Sequence, residues 1–92
     1  MKRVHLIISG RVQGVYYRMS AQQQAKALGL NGWVRNRSDG TVEVVAQGLE
    51  DELEDFFRWC HMGPTLAEVS GIERVDGVPV TIPEGFDVRP ST

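Results

Sequence analysis

Residues 3–28 read RVHLIISGRVQGVYYRMSAQQQAKAL, and the spacing of the apolar side chains changes once along this stretch. Apolar residues recur at every second position from residue 3 to residue 9, which predicts a β-strand that Gly10 ends. Over residues 18–28 they recur at helical spacing and predict an amphipathic helix. The narrow apolar stripe of that helix consists of Ala21, Ala25 and Leu28. We therefore expect the helix to lie close against a sheet.

The middle of the chain predicts a hairpin and a second helix. Residues 32–36 and 41–47 are typical of strands, and the turn residues 37–40 between them indicate a β-hairpin. Apolar side chains then recur at helical spacing up to residue 61, where Gly63 and Pro64 follow and stop the helix. The apolar positions of this helix are Leu49, Leu53, Phe56, Phe57 and Cys60.

The last part of the chain completes the fold class. Residues 65–75 predict a strand with a kink near Gly71, residues 76–85 predict a loop, and residues 86–88 mark a short last strand. The order β-α-β-β-α-β predicts a ferredoxin-like α+β sandwich, with both helices on one face of an antiparallel sheet. Many unrelated functions use this plan, so the fold alone does not indicate what the protein does.

Composition narrows the class of protein. The chain has 92 residues, 41% hydrophobic and 24% charged, which predicts one domain over residues 1–92. No apolar run approaches the roughly 20 residues of a membrane span, and residues 4–8 are too short for the core of a secretory signal. We therefore expect a cytoplasmic protein without a membrane partner. The net charge of −2 argues against nucleic acid as a partner.

The residue types that bind metals are few and scattered. Cys60 is the only cysteine, so no internal disulfide can form, and its helical apolar setting indicates core packing. His5 and His61 lie far apart, and no spacing resembles a zinc site, so we expect no metal and no other cofactor. The acidic run at residues 50–52 opens the second helix, where a solvated face is a commoner explanation than a cation site.

Charge is divided unevenly along the chain. The first 38 residues contain seven basic and no acidic side chains, whereas the remaining 54 contain all twelve acids and three arginines. Chance explains such asymmetry about as well as function does. The basic part includes GRVQGVYYR, residues 10–18, between the first strand and the first helix. Free N–H groups at a helix N-terminus, a glycine at position 14 and Arg18 are suited to a phosphate. A strand-to-helix turn with a surface arginine is an equally good explanation.

A second segment separates these two explanations. Residues 32–42, GWVRNRSDGTV, with Gly48 six residues further on, resemble the second signature of the acylphosphatases. The segment GRVQGVYYR is similar to their first signature. The resemblance spans essentially the whole chain, and later positions agree with it: Gly63-Pro64, Ala67-Glu68-Val69 and Gly85-Phe86-Asp87-Val88-Arg89.

The resemblance implies metal-independent hydrolysis of the carboxyl-phosphate bond of acyl phosphates. It implies that Asn36 orients the attacking water and that Arg18 holds the phosphate with the backbone amides of a loop, Gln13, Gly14, Val15, Tyr16 and Tyr17. It also implies a small-molecule acyl phosphate as substrate, inorganic phosphate as product or inhibitor, and no phosphoenzyme. We expect a monomer. The residues agree with this chemistry, because a leaving carboxylate departs without a proton and needs no general acid.

Two other functions remain open from the sequence. One is a non-catalytic acylphosphatase-like phosphate-binding module, such as the domain at the head of hydrogenase-maturation carbamoyltransferases; the length of 92 residues favours a free enzyme. The other is a ferredoxin-like RNA-binding domain. Such a domain would carry the pattern Lys/Arg-Gly-Phe/Tyr-Gly/Ala-Phe-Val on a central strand, and this sequence lacks it.

Four individual positions have more than one interpretation. Ala21 stands where many acylphosphatases have threonine, so a hydroxyl is lost unless Ser20 replaces it. Tyr17 adds a hydroxyl whose partner the sequence does not indicate. Asn36 is also a common turn former at the start of a hairpin loop. For Trp33 we expect a role in the core or the hairpin rather than at the leaving group.

Overall fold

The structure, a computed structural model, describes residues 1–92 and contains five strands and two helices. In chain order the elements are β1 Lys2–Arg11, α1 Tyr17–Ala27, β2 Asn31–Asn36, β3 Val42–Gly48, α2 Glu50–Met62, β4 Glu68–Asp76 and β5 Phe86–Val88. The strands form one sheet in the order β4-β1-β3-β2-β5, and both helices pack on it. This is the predicted ferredoxin-like α+β sandwich. No helix is both long enough and apolar enough to cross a membrane.

The sheet is mixed, so the prediction of an antiparallel sheet is wrong at one edge. β1 pairs antiparallel with both β3 and β4, and β2 pairs antiparallel with β3. β5 instead runs parallel to β2. The physical reason is the crossing of residues 77–85, which carries the chain from β4 at one edge to β5 at the other and reverses its direction.

The core lies between the sheet and the helices. Alternate residues of β1 and β3 point into it, and the stripes of α1 and α2 cover them, as the periodicity predicts. Cys60 is fully buried, as expected for core packing. Leu49 was expected on the buried stripe and is 58% exposed, because it lies at the N-cap of α2 and outside its first turn. The core residues that these strands and helices contribute are Val4, Leu6 and Ile8 of β1, Val42, Val44 and Ala46 of β3, Ala21 and Ala25 of α1, and Leu53, Phe56 and Cys60 of α2.

β1 does not end at Gly10, as the sequence suggested, but continues to Arg11. The register with β4 shifts here, because Ser9 faces Gly71 while Gly10 faces Val69, and one residue of β4 is left between them. The kink predicted near Gly71 is this bulge. Gly10 has a φ of +122°, and a Cβ there would lie 2.1 Å from the carbonyl oxygen of Glu68. Only glycine allows the two strands to approach so closely at the entrance to the following loop.

The predicted β2–β3 hairpin is confirmed. The backbone N–H of Arg37 donates to the carbonyl oxygen of Thr41 at 2.9 Å, and that of Gly40 donates to Arg37 at 3.2 Å. The side chain of Asp39 accepts from both the N–H and the hydroxyl of Thr41. These bonds define a compact turn at the same end of the sheet as the β1–α1 loop.

Candidate active site

The loop between β1 and α1 is held by alternating buried residues. Val12 and Val15 are buried, whereas Gly14 and Tyr16 are exposed. Burial of the two valines attaches the loop to the core and turns the intervening backbone outward. Gly14 adopts a φ of +74° and Tyr16 a φ of +63°, so the loop makes two left-handed steps before α1 begins.

The loop presents a set of unused backbone donors. None of the N–H groups of residues 13–19 donates to a backbone carbonyl. Tyr16 is the N-cap of α1 and makes no capping bond through its side chain, and the first turn of α1 contains no acidic residue. Free N–H groups at the positive end of a helix dipole, without a neighbouring carboxylate, are suited to bind an anion.

Arg18 follows directly in the first turn of α1 and is half-buried. It takes part in none of the ion pairs of the protein; the arginines that do are Arg35, Arg37, Arg58 and Arg74. A planar guanidinium with free donors is suited to two oxygens of one phosphate. The structure therefore places Arg18 and the loop amides in the same region, as the sequence predicts.

The side chain of Gln13 joins this loop to the β2–β3 turn. Its Nε2 donates to the carbonyl oxygens of Arg37 at 2.8 Å and of Thr41 at 2.9 Å. The sequence suggested only a backbone role for Gln13, and this contact was missed. Its partners are backbone carbonyls, which every residue carries, so no residue type at positions 37 or 41 could have signalled it.

Asn36 is the last residue of β2 and pairs with Val42 across the hairpin. Its Oδ1 is buried and has no hydrogen-bond partner, the only buried side-chain polar atom of the protein in this condition. Buried polar atoms are nearly always paired, since an unpaired one costs about 1–3 kcal/mol. The next residue, Arg37, is bonded by Gln13, so the same contact holds Asn36 beside the loop.

Tyr17 anchors the loop to α2. Its hydroxyl, for which the sequence indicated no partner, donates to the carbonyl oxygen of Cys60 at 2.7 Å. Its ring lies 5.5 Å from that of Trp59, and a Cβ at Gly63 would meet it at 2.8 Å. Burial raises the pKa of the Tyr17 hydroxyl well above its ordinary value. Tyr17 is therefore a neutral packing residue whose backbone, rather than its side chain, is available to a ligand.

Neither Cys60 nor the first turn of α1 at Ser20 and Ala21 adds a reactive group to the site. Burial raises the pKa of the Cys60 thiol to about 12, so it is protonated and unreactive at neutral pH. Ala21 is fully buried in the core, where a threonine hydroxyl would need a partner. Ser20 donates its backbone N–H to the carbonyl of Tyr16 at 3.1 Å, and its hydroxyl makes no hydrogen bond. The structure shows no replacement for the missing threonine hydroxyl.

Trp33 lies on the face of the sheet opposite the helices, away from the core cluster. The guanidinium carbons of Arg35 and Arg89 both lie 4.8 Å from its ring centre. Such contacts are typical cation–π geometry. The ring is thus buried within the hairpin and its neighbours, in agreement with the structural role expected for it.

A cavity of about 350 Å³ opens at the loop and is lined by Val12, Gly14, Tyr16, Tyr17, Arg18 and Met19. Two larger surface cavities lie near the start of β1, at the end of that strand opposite the loop, and share no residue with it. Neither of them is lined by Arg18, Asn36 or any residue of the β1–α1 loop. No three His, Cys, Asp or Glu side chains lie close enough together to hold a metal ion.

The fold and these residues define a class of protein: a ferredoxin-like sandwich whose first loop carries free backbone amides and an arginine without an acidic partner. A family model for acylphosphatase matches residues 4–88. An acylphosphatase of Azoarcus sp. (strain BH72) is 55% identical over 86 residues, covering 94% of this chain and 87% of the relative. The crystal structure of acylphosphatase from Bacillus subtilis is 34% identical, with a TM-score of 0.92 over 97% of this chain and 99% of that chain. The chain belongs to the acylphosphatase family.

The same fold also occurs within a much longer protein. A crystal structure of full-length HypF, in its phosphate- and nucleotide-bound form, matches with a TM-score of 0.87 and 28% identity. The match covers 99% of this chain and 12% of that chain.

Proposed function

We propose that the protein is an acylphosphatase that hydrolyses the carboxyl-phosphate bond of acyl phosphates without a metal. The observation that carries the proposal is a set of unused polar groups on two segments that the Gln13 side chain joins. The loop offers free N–H donors and an arginine without an acidic partner, and Asn36 offers a buried oxygen without a donor. Such groups are costly in a folded protein unless a ligand uses them.

In the proposed mechanism Arg18 and the backbone amides of Gln13, Gly14, Val15, Tyr16 and Tyr17 bind the phosphate. During phosphoryl transfer negative charge is spread over the phosphoryl oxygens, and fixed donors stabilise it without rearranging. The absence of acidic residues from the first turn of α1 supports this role, since a carboxylate would repel the anionic substrate.

Asn36 is the proposed positioning group for the attacking water. Its Oδ1 accepts a hydrogen bond from the water, and its NH₂ donates to a phosphoryl oxygen, so that the water is held on the line of attack. The unpaired state of Oδ1 supports this proposal, because the atom has no other partner in the protein.

The proposed step requires no side-chain acid or base. The oxygen of water bonds to phosphorus, and the bond between phosphorus and the carboxylate oxygen breaks. The carboxylate leaves with its electron pair and without a proton, while both protons of the water remain on phosphate oxygens as H₂PO₄⁻. The cavity lining contains no His, Asp or Glu, which agrees with a step that uses no side-chain acid or base.

The proposal extends to domain organisation, partners and location. Residues 1–92 act as one acylphosphatase-like domain, as a monomer in the cytoplasm, on a small-molecule acyl phosphate. Inorganic phosphate is both product and inhibitor. The net charge of −2 supports the lack of a nucleic-acid partner.

The likeness to HypF supports one alternative function, a phosphate-binding module without catalysis. The two functions make different predictions for turnover. Release of inorganic phosphate from benzoyl phosphate in the presence of a chelator tests them. The enzyme should exceed the spontaneous rate, whereas a binding module should not.

The variant that tests the phosphate site is Arg18→Gln. A charge-assisted hydrogen bond contributes about 1.5–3 kcal/mol, so inhibition by inorganic phosphate should weaken at least tenfold. Arg58→Gln is the control, because that arginine lies on α2 and pairs with Asp55 on the surface. An unchanged inhibition constant in a folded Arg18→Gln protein would remove Arg18 from the site.

A further inference from the structure

Tyr16 is the only residue other than glycine with a positive φ, and its side chain is 75% exposed. A bulky side chain in this backbone region is strained, because its Cβ crowds the neighbouring carbonyl. Its neighbours Val15 and Tyr17 are both buried, so the ring between them is turned towards solvent. Asparagine or glycine would adopt this backbone with less strain. Neither the core nor the backbone therefore accounts for an aromatic ring at this position.

The exposed ring continues an apolar surface next to the phosphate loop. Met19 in the first turn of α1 is 56% exposed. Both side chains line the 350 Å³ cavity that also contains Gly14 and Arg18. This volume corresponds to about a dozen water molecules of ~30 Å³ each, whereas a phosphoryl group has only phosphorus and its oxygens to accommodate. The cavity has room for a part of the ligand beyond the phosphate.

The residues that line the cavity indicate the chemistry of the ligand group beyond the phosphate. Arg18 is the only charged residue among those that line the cavity, and in the proposed mechanism its guanidinium binds the phosphate. A second carboxylate or an ammonium group on the ligand would find no partner there. An alkyl chain or a ring would cover Tyr16 and Met19 and remove apolar surface from water.

We propose that Tyr16 and Met19 form an acyl-binding surface that selects substrates with an uncharged, apolar acyl group. This inference rests on the proposed hydrolysis at the adjoining loop, and it names the substrate class of that site. Each methylene in a closed apolar pocket changes kcat/KM by about 10- to 200-fold. The surface formed by Tyr16 and Met19 contacts only one side of the substrate's acyl chain. We therefore expect kcat/KM to rise only about tenfold when the acyl chain is lengthened by several methylenes.

Acetyl phosphate and hexanoyl phosphate are suitable probes. Their leaving carboxylates have nearly the same basicity, so their intrinsic reactivities are similar, while their apolar lengths differ. The quantity to measure is the ratio of kcat/KM for hexanoyl phosphate to that for acetyl phosphate. Effects on phosphate binding that are common to both substrates cancel in this ratio.

The wild-type ratio should be about ten, and two variants should lower it at least threefold. Tyr16→Asn removes the ring and suits the left-handed backbone, and its melting temperature should not fall. Met19→Ser removes the other apolar side chain. Tyr16→Phe keeps the ring and should keep the ratio. Val75→Thr is the control, because Val75 is an exposed apolar residue of β4 outside the cavity.

Three outcomes would overturn the inference. If wild type, Tyr16→Asn and Met19→Ser have the same ratio, the surface does not bind the acyl group. Turnover of both substrates would still support the proposed function in that case. If Tyr16→Phe lowers the ratio as much as Tyr16→Asn, the hydroxyl rather than the apolar ring is responsible. If wild type releases phosphate from neither substrate, the inference and the proposed function are both wrong.

Discussion

The side-chain Nε2 of Gln13 lies 2.9 Å from the carbonyl oxygen of Thr41 and donates to it across the space between the β1–α1 loop and the hairpin turn. A second bond from the same nitrogen, to Arg37, holds the residue that follows Asn36. One neutral side chain thus connects the two halves of the candidate site. It joins the proposed phosphate-binding loop to the segment that carries Asn36, the proposed positioning group for water.

Gln13→Leu should therefore reduce kcat more than it weakens phosphate binding. The two carbonyls keep their turn partners, so the loss of stability should be about 1 kcal/mol for each missing bond. A small displacement of Asn36 can cost up to about 100-fold in rate. We expect kcat to fall at least tenfold while phosphate inhibits nearly as before. Gln23→Leu, on the exposed side of α1, is the control. Equal kcat in the two variants would show that Gln13 does not position Asn36.

Gly14→Ala and Gly77→Ala together should distinguish a loss of phosphate binding from a loss of stability caused by backbone strain. Gly14 has a φ of +74° and Gly77 a φ of +73°, and a Cβ at either would meet no atom within 4 Å. Alanine should cost each protein about 1–2 kcal/mol of stability from the left-handed backbone. Only at Gly14 would the new methyl project in front of the free amides. Phosphate inhibition should weaken at least tenfold in Gly14→Ala and remain unchanged in Gly77→Ala. Native phosphate affinity in both would place the phosphate-binding groups elsewhere.

Asn36→Ala should lower kcat a few hundredfold, corresponding to about 3–4 kcal/mol of barrier. Its stability should not fall, because the substitution removes a buried oxygen that has no partner. Asn31→Ala is the matched control. Its Oδ1 accepts from the backbone N–H of Gly85 at 3.0 Å, so that variant should lose about 1 kcal/mol of stability and keep its turnover. A lower melting temperature with full turnover in Asn36→Ala would make Asn36 a turn residue only.

The stability of the sheet should depend on pH through Glu43. Its side chain is 13% exposed and bridges His5, with 2.7 Å between Nε2 and Oε2, and Arg35, with 2.6 Å between Nε and Oε1. Burial opposes ionisation of the carboxyl, but the hydrogen bonds from His5 and Arg35 outweigh it, so the pKa of Glu43 lies below its ordinary value of 4.5.

A carboxyl whose pKa is lowered by folding contributes stability above its unfolded pKa and loses it as the pH falls through the folded pKa. Glu43→Gln should thus be less stable than wild type by about 1.5–3 kcal/mol at pH 7. The difference should shrink as the pH falls below about 4.5. Denaturant unfolding at several pH values measures it. Glu73→Gln, an exposed residue of β4, should show no such trend. A constant difference across this range would contradict the assignment.

Local periodicity was a good guide to the elements. Strands, helices and the hairpin turn depend on neighbours within a few residues, so β1, α1 and the β2–β3 hairpin were predicted to within one or two residues. The continuation of β1 through Gly10 was not predicted, because it depends on Glu68 of β4, far away in sequence. The direction of β5 was missed for the same reason, since it follows from where residues 77–85 cross the molecule.

The sequence by itself determined the family, the ferredoxin-like class and the identities of the candidate site residues, because motif spacing and residue type are properties of the chain. Tertiary structure decided how those residues meet. The bonds of Gln13 to the hairpin turn and of Tyr17 to Cys60 join segments that are distant in sequence. The burial of Asn36 Oδ1 without a partner is likewise a result of the packing. Several of these partners are backbone carbonyls, which every residue carries. Only the packing of helices on the sheet selects which carbonyl comes within hydrogen-bonding distance.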